Sequence, residues 1–468
     1  MDIYSAFKET FHCFSFIPPQ ATIAIAFSGG RDSTALLHLL LKLKSEKNLN
    51  ILAAYFNHNI RQDAQKEESW VKQTCLKLGV PLIIGQGDIP KILSQSGGNL
   101  EEIASRERYG FLYHYLNSLS GSSFLATAHH AGDQLETFLF RLARGSGAQG
   151  LLGIAPHIDK RLIRPLHTVS PNQIKQFLLE NEIDFYQDPS NESPDFMRNH
   201  IRHNIIPELE KINSNLYPHF TRALFLMAEE NRFMDDYAQK AYQQISPYPN
   251  VLNRLALIAL NPAICKRVLR LFIDRNRGNL RNIANQHIED FLQSIIEQKR
   301  AYHLPDLLVD IRHHWVFTHD QTVQHFEFPV EEKKNKTLLD CIPATLTVQL
   351  VKRLHPDPEN TAVTIPRQLL IYPLLIRSVQ RNDRYRKINT DYSQRVWEML
   401  REKGIPKELR HLFPIIINGD GNPIWCYPCP LASQFYTPIP LQPTLELLRF
   451  SLPDHPFNRF LNEALHLK

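Results

Sequence analysis

Ile23-Ala24-Ile25-Ala26-Phe27-Ser28-Gly29-Gly30-Arg31-Asp32-Ser33-Thr34-Ala35-Leu36-Leu37 reads as an apolar strand, a glycine-rich turn and a helix start in one piece. Such a turn aims backbone N–H groups and a helix N-terminus at one point, where an anion belongs. Ser28, Gly29 and Gly30 let the chain approach a phosphate closely, and Ser33 and Thr34 add hydroxyl donors. Asp32 repels a phosphate unless a cation lies between them, so its presence argues for Mg²⁺. The lysine and spacing of a Walker A loop are missing, and the turn is not GxGxxG. The rival reading is a serine/glycine turn capping an ordinary helix; the preceding strand and the following Asp-Ser weigh against it.

Outward from this turn, short apolar runs alternate with longer amphipathic stretches to about residue 155. Strands are expected at 23–27, 51–56, 81–84 and 123–129, with helices at 33–44, 65–78, 100–119 and 133–143. The alternation predicts an α/β fold, a doubly wound, Rossmann-like parallel sheet with helices on both faces. Ligands of such sheets bind beyond the carboxyl ends of the strands, where the Ser28 turn and His129 both fall. This domain is expected over 1–215. A mainly helical domain ending in hairpins follows over 216–328, then a linker or irregular stretch over 329–365. A small α+β domain closes the order over 366–450. The mixed-sign run Glu331-Glu332-Lys333-Lys334-Asn335-Lys336 reads as a solvated loop.

The chain has 468 residues, 43% hydrophobic and 22% charged, which are ordinary globular values. A formal net charge of +5 permits an acidic partner such as RNA without demanding one. No run is apolar and long enough to span a bilayer, and the first residues lack the basic and apolar regions of a signal peptide. The six cysteines are scattered without a disulfide framework, so a reduced, cytoplasmic protein is expected.

A second motif follows the fourth strand: Ala126-Thr127-Ala128-His129-His130-Ala131-Gly132-Asp133-Gln134-Leu135-Glu136-Thr137. On its helix Asp133 and Glu136 share a face, and Leu135, Phe138, Leu139 and Leu142 form the opposing apolar one. Arg141 and Arg144 lead on to Gly145-Ser146-Gly147. Carboxylates, histidine and arginines so close together suit Mg-ATP and pyrophosphate. Each residue alone also has a plainer reading: a first-turn acid, a surface charge, a strand-end histidine.

The pair SGGxDS and AHHxxDQxET…RLxRGSG resembles the tRNA(Ile)-lysidine synthetase family of the PP-loop ATP pyrophosphatase superfamily. The resemblance continues through Asn99-Leu100 to Arg108-Tyr109 and through Arg164-Pro165-Leu166. It is renewed in Asp188-Pro189-Ser190-Asn191, Arg198-Asn199, Ile201-Arg202 and Ile206-Pro207. Arg377 to Arg386, Lys403-Gly404-Ile405-Pro406 to Arg410, and Phe413-Pro414 look like the family's C-terminal domain. Two positions depart from the family pattern: Gly132 stands where it usually has an acid, and Ser105 where it usually has an arginine, with Arg106 next to it.

The resemblance implies an ATP-dependent ligation of L-lysine to C2 of the wobble cytidine in the CAU-anticodon isoleucine tRNA. Ser28, Gly29, Gly30, Arg31 and Ser33 would cradle phosphate, and Asp32 would hold Mg²⁺. Asp133 and Glu136 are second candidates for metal or for the lysine ammonium. His129 is a candidate for nucleotide contact or proton transfer. Arg198 and Arg202 are expected to clamp phosphate of ATP or tRNA, the rival being a salt bridge to Asp188 or Asp195. Tyr109 and Phe196 are candidate platforms for a flipped base. Arg377, Arg381, Arg384 and Arg386, with Lys387 and the interleaved Tyr385, form the best basic patch for the tRNA body. The resemblance leaves room for a homodimer. The alternatives are another PP-loop tRNA-modifying enzyme such as a thiolase, and a non-catalytic tRNA-binding protein. The Cys426-Tyr427-Pro428-Cys429 spacing lacks the helix N-terminus of a redox pair, and His313-His314, read in an alternating strand, is expected to bind no metal.

Overall fold

The structure is a computed structural model, and it describes residues 2–59, 64–96, 99–186, 196–318, 325–330, 336–339, 344–351, 357, 360–388, 390–436, 446–453 and 455–458. The chain divides into two compact units, Met1–Arg232 and Phe233–Lys468. A single helix, Leu216–Ile245, begins just after the expected boundary at 215 and runs across the division between the units.

The first unit is built on six strands: β1 (Thr22–Ala26), β2 (Asn50–Asn57), β3 (Leu82–Gln86), β4 (Ser123–Ala126), β5 (His157–Ile158) and β6 (Leu162–Ile163). Their order is β3-β2-β1-β4-β6-β5. All neighbours are parallel except β5, which closes the edge antiparallel to β6. The helices are α1 (Ile3–His12), α2 (Arg31–Lys47), α3 (Ala64–Leu78), α4 (Ile89–Ser96), α5 (Leu100–Ser118) and α6 (Ala131–Ala143). They continue with α7 (Ala148–Leu151), α8 (Pro171–Glu180), α9 (Phe196–His200), α10 (Ile206–Ile212) and α11 (Leu216–Ile245). Between α9 and α10 the backbone opens into a π-helical turn, Ile201–Ile205.

Successive side chains of a strand point to opposite faces, and β1 shows the consequence. Ile23 and Ile25 enter a core shared with α1, α2 and α8, while Ala24 joins Leu112 and Leu116 of α5 on the other face. The sheet is thus covered on both sides, as the alternating pattern predicts. The chain leaves β1 toward β2 on one side and later returns to pair β4 on the other. The carboxyl ends of β1 and β4 therefore flank a topological switch point. The α1 and α4 helices and the β5–β6 edge have no counterpart in the sequence reading. Leu142, expected on the apolar face of α6, is instead exposed.

The second unit holds β7 (Val251–Asn253), α12 (Arg254–Ile258), α13 (Pro262–Arg277) and α14 (Asn285–Ile296), then β8 (Ala301–Leu304), β9 (Leu307–Ile311) and β10 (Trp315–Thr318). These strands pair in the order β7-β10-β9-β8 and share a core with α13 and α14. The stretch expected to be a linker is not one. It contains β12 (Lys336–Leu339), β13 (Ala344–Val351) and β14 (Ala362–Pro366), which sheet with β20 (Leu447–Ser451) in the order β12-β13-β20-β14. The run 331–335 lies outside the described residues, and Lys336 opens β12. β11 (Glu327–Val330) pairs with β15 (Leu374–Ser378), followed by β18 (Pro414–Ile417) and β19 (Pro423–Cys426). Between them lie β16 (Arg384–Arg386), β17 (Ser393–Arg395) and α15 (Val396–Glu402).

His313 and His314 sit in the turn between β9 and β10, not in a strand as the alternation suggested. Cys426 and Cys429 are fully buried, and burial first of all pushes the Cys426 thiol up. Among the described residues no cluster of histidine, cysteine and carboxylate could hold a metal by itself. Nor is any described helix long and apolar enough to cross a membrane.

Candidate active site

The turn after β1 is shaped by packing from behind. Gly29 has φ +76°, and a Cβ there would come within 3.0 Å of the Trp70 ring and 3.2 Å of Val71. With Trp70 behind it, the loop presents its other side to the strand ends. The Gly29 carbonyl also accepts from the Tyr186 N–H at 2.9 Å, which docks the segment ahead of Asp188 on the loop. Ser28 is exposed, with its Oγ 3.1 Å from Ser33 Oγ. Gly30 is the N-cap of α2 and offers no side chain, so the first N–H groups of the helix keep their donors for a ligand. Thr34 does not add a hydroxyl to this cradle. It is buried, and its Oγ1 donates to the Gly29 carbonyl at 3.0 Å.

Asp32 stands in the first turn of α2 with a third of its side chain exposed (33%). Arg31 Nε donates to its Oδ1 at 2.8 Å, and His130 Nε2 lies 3.5 Å from its Oδ2. Burial pulls the Asp32 carboxyl upward, but the His130 and Arg31 contacts outweigh it and hold the group at about 2. Asp32 is therefore an ionised carboxylate with room for a cation.

His130 begins α6. Its Nδ1 accepts from the Gly132 N–H at 3.0 Å and the Asp133 N–H at 3.3 Å, while Asp133 Oδ2 accepts from the His130 N–H at 2.9 Å. This is a reciprocal capping box with an imidazole in the place usually taken by serine or threonine. Two donors facing Nδ1 fix the neutral tautomer, so the proton is on Nε2 and points at Asp32. Burial disfavours the charged ring, yet Asp32 and Asp133 raise its pKa overall. The geometry nevertheless describes the neutral form, because protonating Nδ1 would break the cap.

On the next turn of α6, Glu136 is buried and not the surface charge a plain reading allows. Arg202, in the π-helical turn, closes on it with two bonds, Nε to Oε1 at 2.5 Å and Nη2 to Oε2 at 2.9 Å. Arg202 Nη2 also reaches Asp133 Oδ1 at 3.8 Å. Asp32, His130, Asp133, Arg202 and Glu136 thus form one continuous polar chain across three separate sequence segments. Glu136 spends both oxygens on Arg202, so it does not fit a metal, and Arg202 is an ion-pair partner before it is a phosphate clamp. Asp32 fits Mg²⁺, with Asp133 joined to it through the His130 ring. A site of one or two carboxylates completed by substrate phosphates is the usual design for that ion.

His129 does not join this chain. Its Nδ1 lies 3.0 Å from Thr127 Oγ1. Burial pushes its imidazole down to about 4, with Arg164 and Arg108 adding to the effect and Asp133 opposing it. It is neutral at pH 7 and a poor general base there, contrary to the expectation of a group titrating near neutrality. Arg108 Nε and Arg164 Nε are buried without a hydrogen-bond partner among the described residues, which leaves donors beside His129 for an anionic group.

Other expected ligands have structural duties. Arg141 donates to the carbonyls of Gly150 at 2.7 Å and Gly153 at 2.9 Å, and Gln134 accepts from Ile154 N at 2.8 Å; together they tie the loop after α6 in place. Arg144 lies over the Phe140 ring at 4.1 Å and Arg198 over the same ring at 5.6 Å. Arg106 is exposed and pairs with Glu107 at 3.2 Å. Tyr109 is half-buried and stacks on Tyr113 at 6.2 Å. Asp188, Asn191 and Asp195 lie outside the described residues, as does the Phe196 side chain. In the second unit Arg377 closes on Asp383 with bonds of 2.9 and 2.7 Å and is no open phosphate ligand. Tyr385 is buried, donating to the Pro430 carbonyl at 2.7 Å, while Arg381, Arg384 and Arg386 are exposed around it. Sequence reasoning missed His130 and Gln134; a His-x-x-Asp pattern at a helix start was the available signal for the first.

Residues 3–209 match the model of the PP-loop domain. A tRNA(Ile)-lysidine synthase from Geobacillus kaustophilus is 29% identical over 436 residues, covering 88% of this chain and 92% of that one. The one from Clostridium tetani is 28% identical over 431 residues, covering 88% and 91%. That from Pseudothermotoga lettingae reaches 34% over 239 residues, covering 50% and 53%. Over most of its length, then, the chain is similar to tRNA(Ile)-lysidine synthases, and residues 3–209 are a PP-loop domain. That likeness, with the PP-loop match, makes the chain an enzyme of tRNA modification that uses ATP. It also sets aside the thiolase reading, for which a reactive cysteine near the loop would be needed. Cys75, the cysteine between the two motifs, is buried in α3 with its thiol pushed up to about 11 by burial.

Proposed function

We propose that this chain joins L-lysine to C2 of the wobble cytidine of the CAU-anticodon isoleucine tRNA, using ATP. The cytidine O2 attacks the α-phosphate, the bond to pyrophosphate breaks, and O2 becomes part of an AMP leaving group. The lysine ε-amine then forms the new bond to C2, loses its protons, and AMP departs with O2. Charge builds on the phosphates in the first step, so N–H donors and cations there give the largest effect.

Ser28, Gly29, Gly30, Arg31 and Ser33 supply the cradle. Asp32 holds Mg²⁺, which when bound offsets charge on the phosphates. Asp133 is the carboxylate left to orient the lysine ammonium, since Glu136 is closed by Arg202. His129, neutral and flanked by Arg108 and Arg164, orients a nucleotide group and does not take up the proton. Arg381, Arg384 and Arg386 hold the tRNA body. Free, scattered cysteines fit a reducing, cytoplasmic location, and sedimentation would test assembly as a homodimer.

The polar chain from Asp32 to Glu136 carries this reading, because it brings both motifs and the Arg202 segment into one place. The test is AMP formation from purified protein. AMP is expected only when ATP, lysine and the CAU-anticodon tRNA are all present. Tight tRNA binding with no AMP release would sink the proposal in favour of a non-catalytic binder.

A further inference from the structure

Gly132 is the position where the resemblance leads one to expect an acid, and its loss suggests a weakened site. The packing around it says otherwise. A Cβ at residue 132 would lie 2.7 Å from Pro171 Cγ, 2.8 Å from His130 Cε1 and 3.0 Å from His130 Nδ1. None of these is the loose end of a flexible side chain. Pro171 is fixed at the first position of α8, whose start is held by a capping box in which Ser170 Oγ accepts from Gln173 N at 3.2 Å. The His130 ring is 4% exposed and held at both nitrogens, by the α6 cap and by Asp32.

We propose that the contact of Gly132 with Pro171 sets the position of the His130 ring and, through its Nε2–H, the orientation of the Asp32 carboxylate toward Mg-ATP. In this chain the glycine is a packing exchange and not decay. The first turn of α6 has no room for a side chain at 132 because Pro171 and the imidazole already meet there. His130 is accordingly a positioning residue: it touches neither phosphate nor cytidine, and acts through Asp32. This rests on the ATP site assigned above, though not on the identity of the nucleic acid or of the amine.

The test is calorimetric binding of a non-hydrolysable ATP analogue, with and without Mg²⁺, to Gly132→Asp, Gly132→Ala, Gly132→Ala/Pro171→Ala and His130→Asn. A decayed site would be repaired by Gly132→Asp. The packing reading expects the opposite, roughly tenfold weaker Mg-dependent binding with little change when Mg²⁺ is withheld. Gly132→Ala should show the same selective loss, and adding Pro171→Ala should recover at least part of it, since the shortest clash, 2.7 Å to Pro171 Cγ, is removed. His130→Asn keeps a capping side chain, so the helix start survives while the Asp32 contact goes. It should reproduce the Mg-selective loss, and it remains informative if the Gly132 variants fail to fold. Unchanged or tighter Mg-analogue binding in Gly132→Asp would overturn the proposal, as would a His130→Asn variant that binds like the parent. If the parent itself does not bind the analogue, the ATP site assignment fails instead.

Discussion

Two arginine–carboxylate pairs, one in each unit, look alike in bond lengths and differ in what surrounds them. Arg202 grips Glu136 in the first unit, and Arg377 grips Asp383 in the second. Arg202 is half exposed (49%) and reaches on to Asp133, so its pair is one link of a chain ending at Asp32. Arg377 is 15% exposed; Asp383 Oδ2 also accepts from the Gln380 N–H at 2.7 Å, which closes the turn between β15 and β16. The first pair is joined to residues of both motifs, and the second closes a turn. Sequence gave both arginines as ligands for phosphate, and only the presence of further unsaturated groups separates them.

The comparison breaks most easily at the far end of the first chain. Asp32→Asn should lower AMP formation by about a thousandfold, the scale of a lost transition-state charge partner, while tRNA affinity in a filter-binding assay stays put. Equal loss of both would remove Asp32 from the metal role. Next, Arg377→Gln should destabilise the second unit by about 3 kcal/mol, as a buried carboxylate left alone does. A urea titration with two resolved transitions would read this, and adding Asp383→Asn should restore most of it. Arg202→Gln should cost less stability, because Arg202 is half solvated, yet abolish lysine-dependent AMP release; adding Glu136→Gln should recover stability and not activity. Recovery of activity by that pair would make Arg202 and Arg377 equivalent after all.

Acid sharpens the contrast further. His129 has a folded pKa near 4 against 6.5 for a free imidazole, so between these values the unfolded chain binds the extra proton. Stability therefore falls as pH drops from 6.5 toward 4, by an amount on the order of 2 kcal/mol, and is unaffected by this group above 6.5. His129→Asn should flatten that part of the stability curve in denaturant titrations buffered across the window. Asp32 has the same sign in a lower window: its contribution is full above about 3.8 and is lost only as pH falls toward about 2. The smallest effect is expected at the surface of the second unit. Removing the charges of Arg384 and Arg386 should weaken tRNA binding and reduce its salt slope by about one unit per lost phosphate contact. The Arg377 variant should leave that slope unchanged.

What the sequence disclosed follows from how local each cause is. The parallel sheet was legible because Ile23, Ile25 and Phe27 carry a short apolar run into a glycine turn, and the same logic placed β2, β4, α2 and α6. The turn from Ser28 to Ser33 between β1 and α2 was legible for the same reason. The role of Glu136 was not, because it depends on Arg202, 66 residues away, bending in to meet it. Thr34 and Arg141 were misassigned because a hydroxyl or guanidinium that satisfies a nearby carbonyl has the same letter as one that awaits a ligand. The strands between 336 and 366 escaped notice because, although β12 pairs with the adjacent β13, β13 and β14 are held by β20, which is remote in sequence.

The π-helical turn at Ile201–Ile205 makes the number of residues in this stretch matter. A π turn carries one residue more than the α turn it replaces, and such turns gather at functional sites. Each residue of an α-helix advances by roughly 100° around the axis. Deleting a single residue among His203, Asn204 and Ile205 would therefore let an uninterrupted helix form from α9 to α10 while rotating Arg202 away from Glu136 relative to all that follows. The more regular helix would be the inactive one. Length, and not only residue identity, is therefore expected to matter in this stretch: a variant with one residue deleted there should lose AMP formation with both motifs intact.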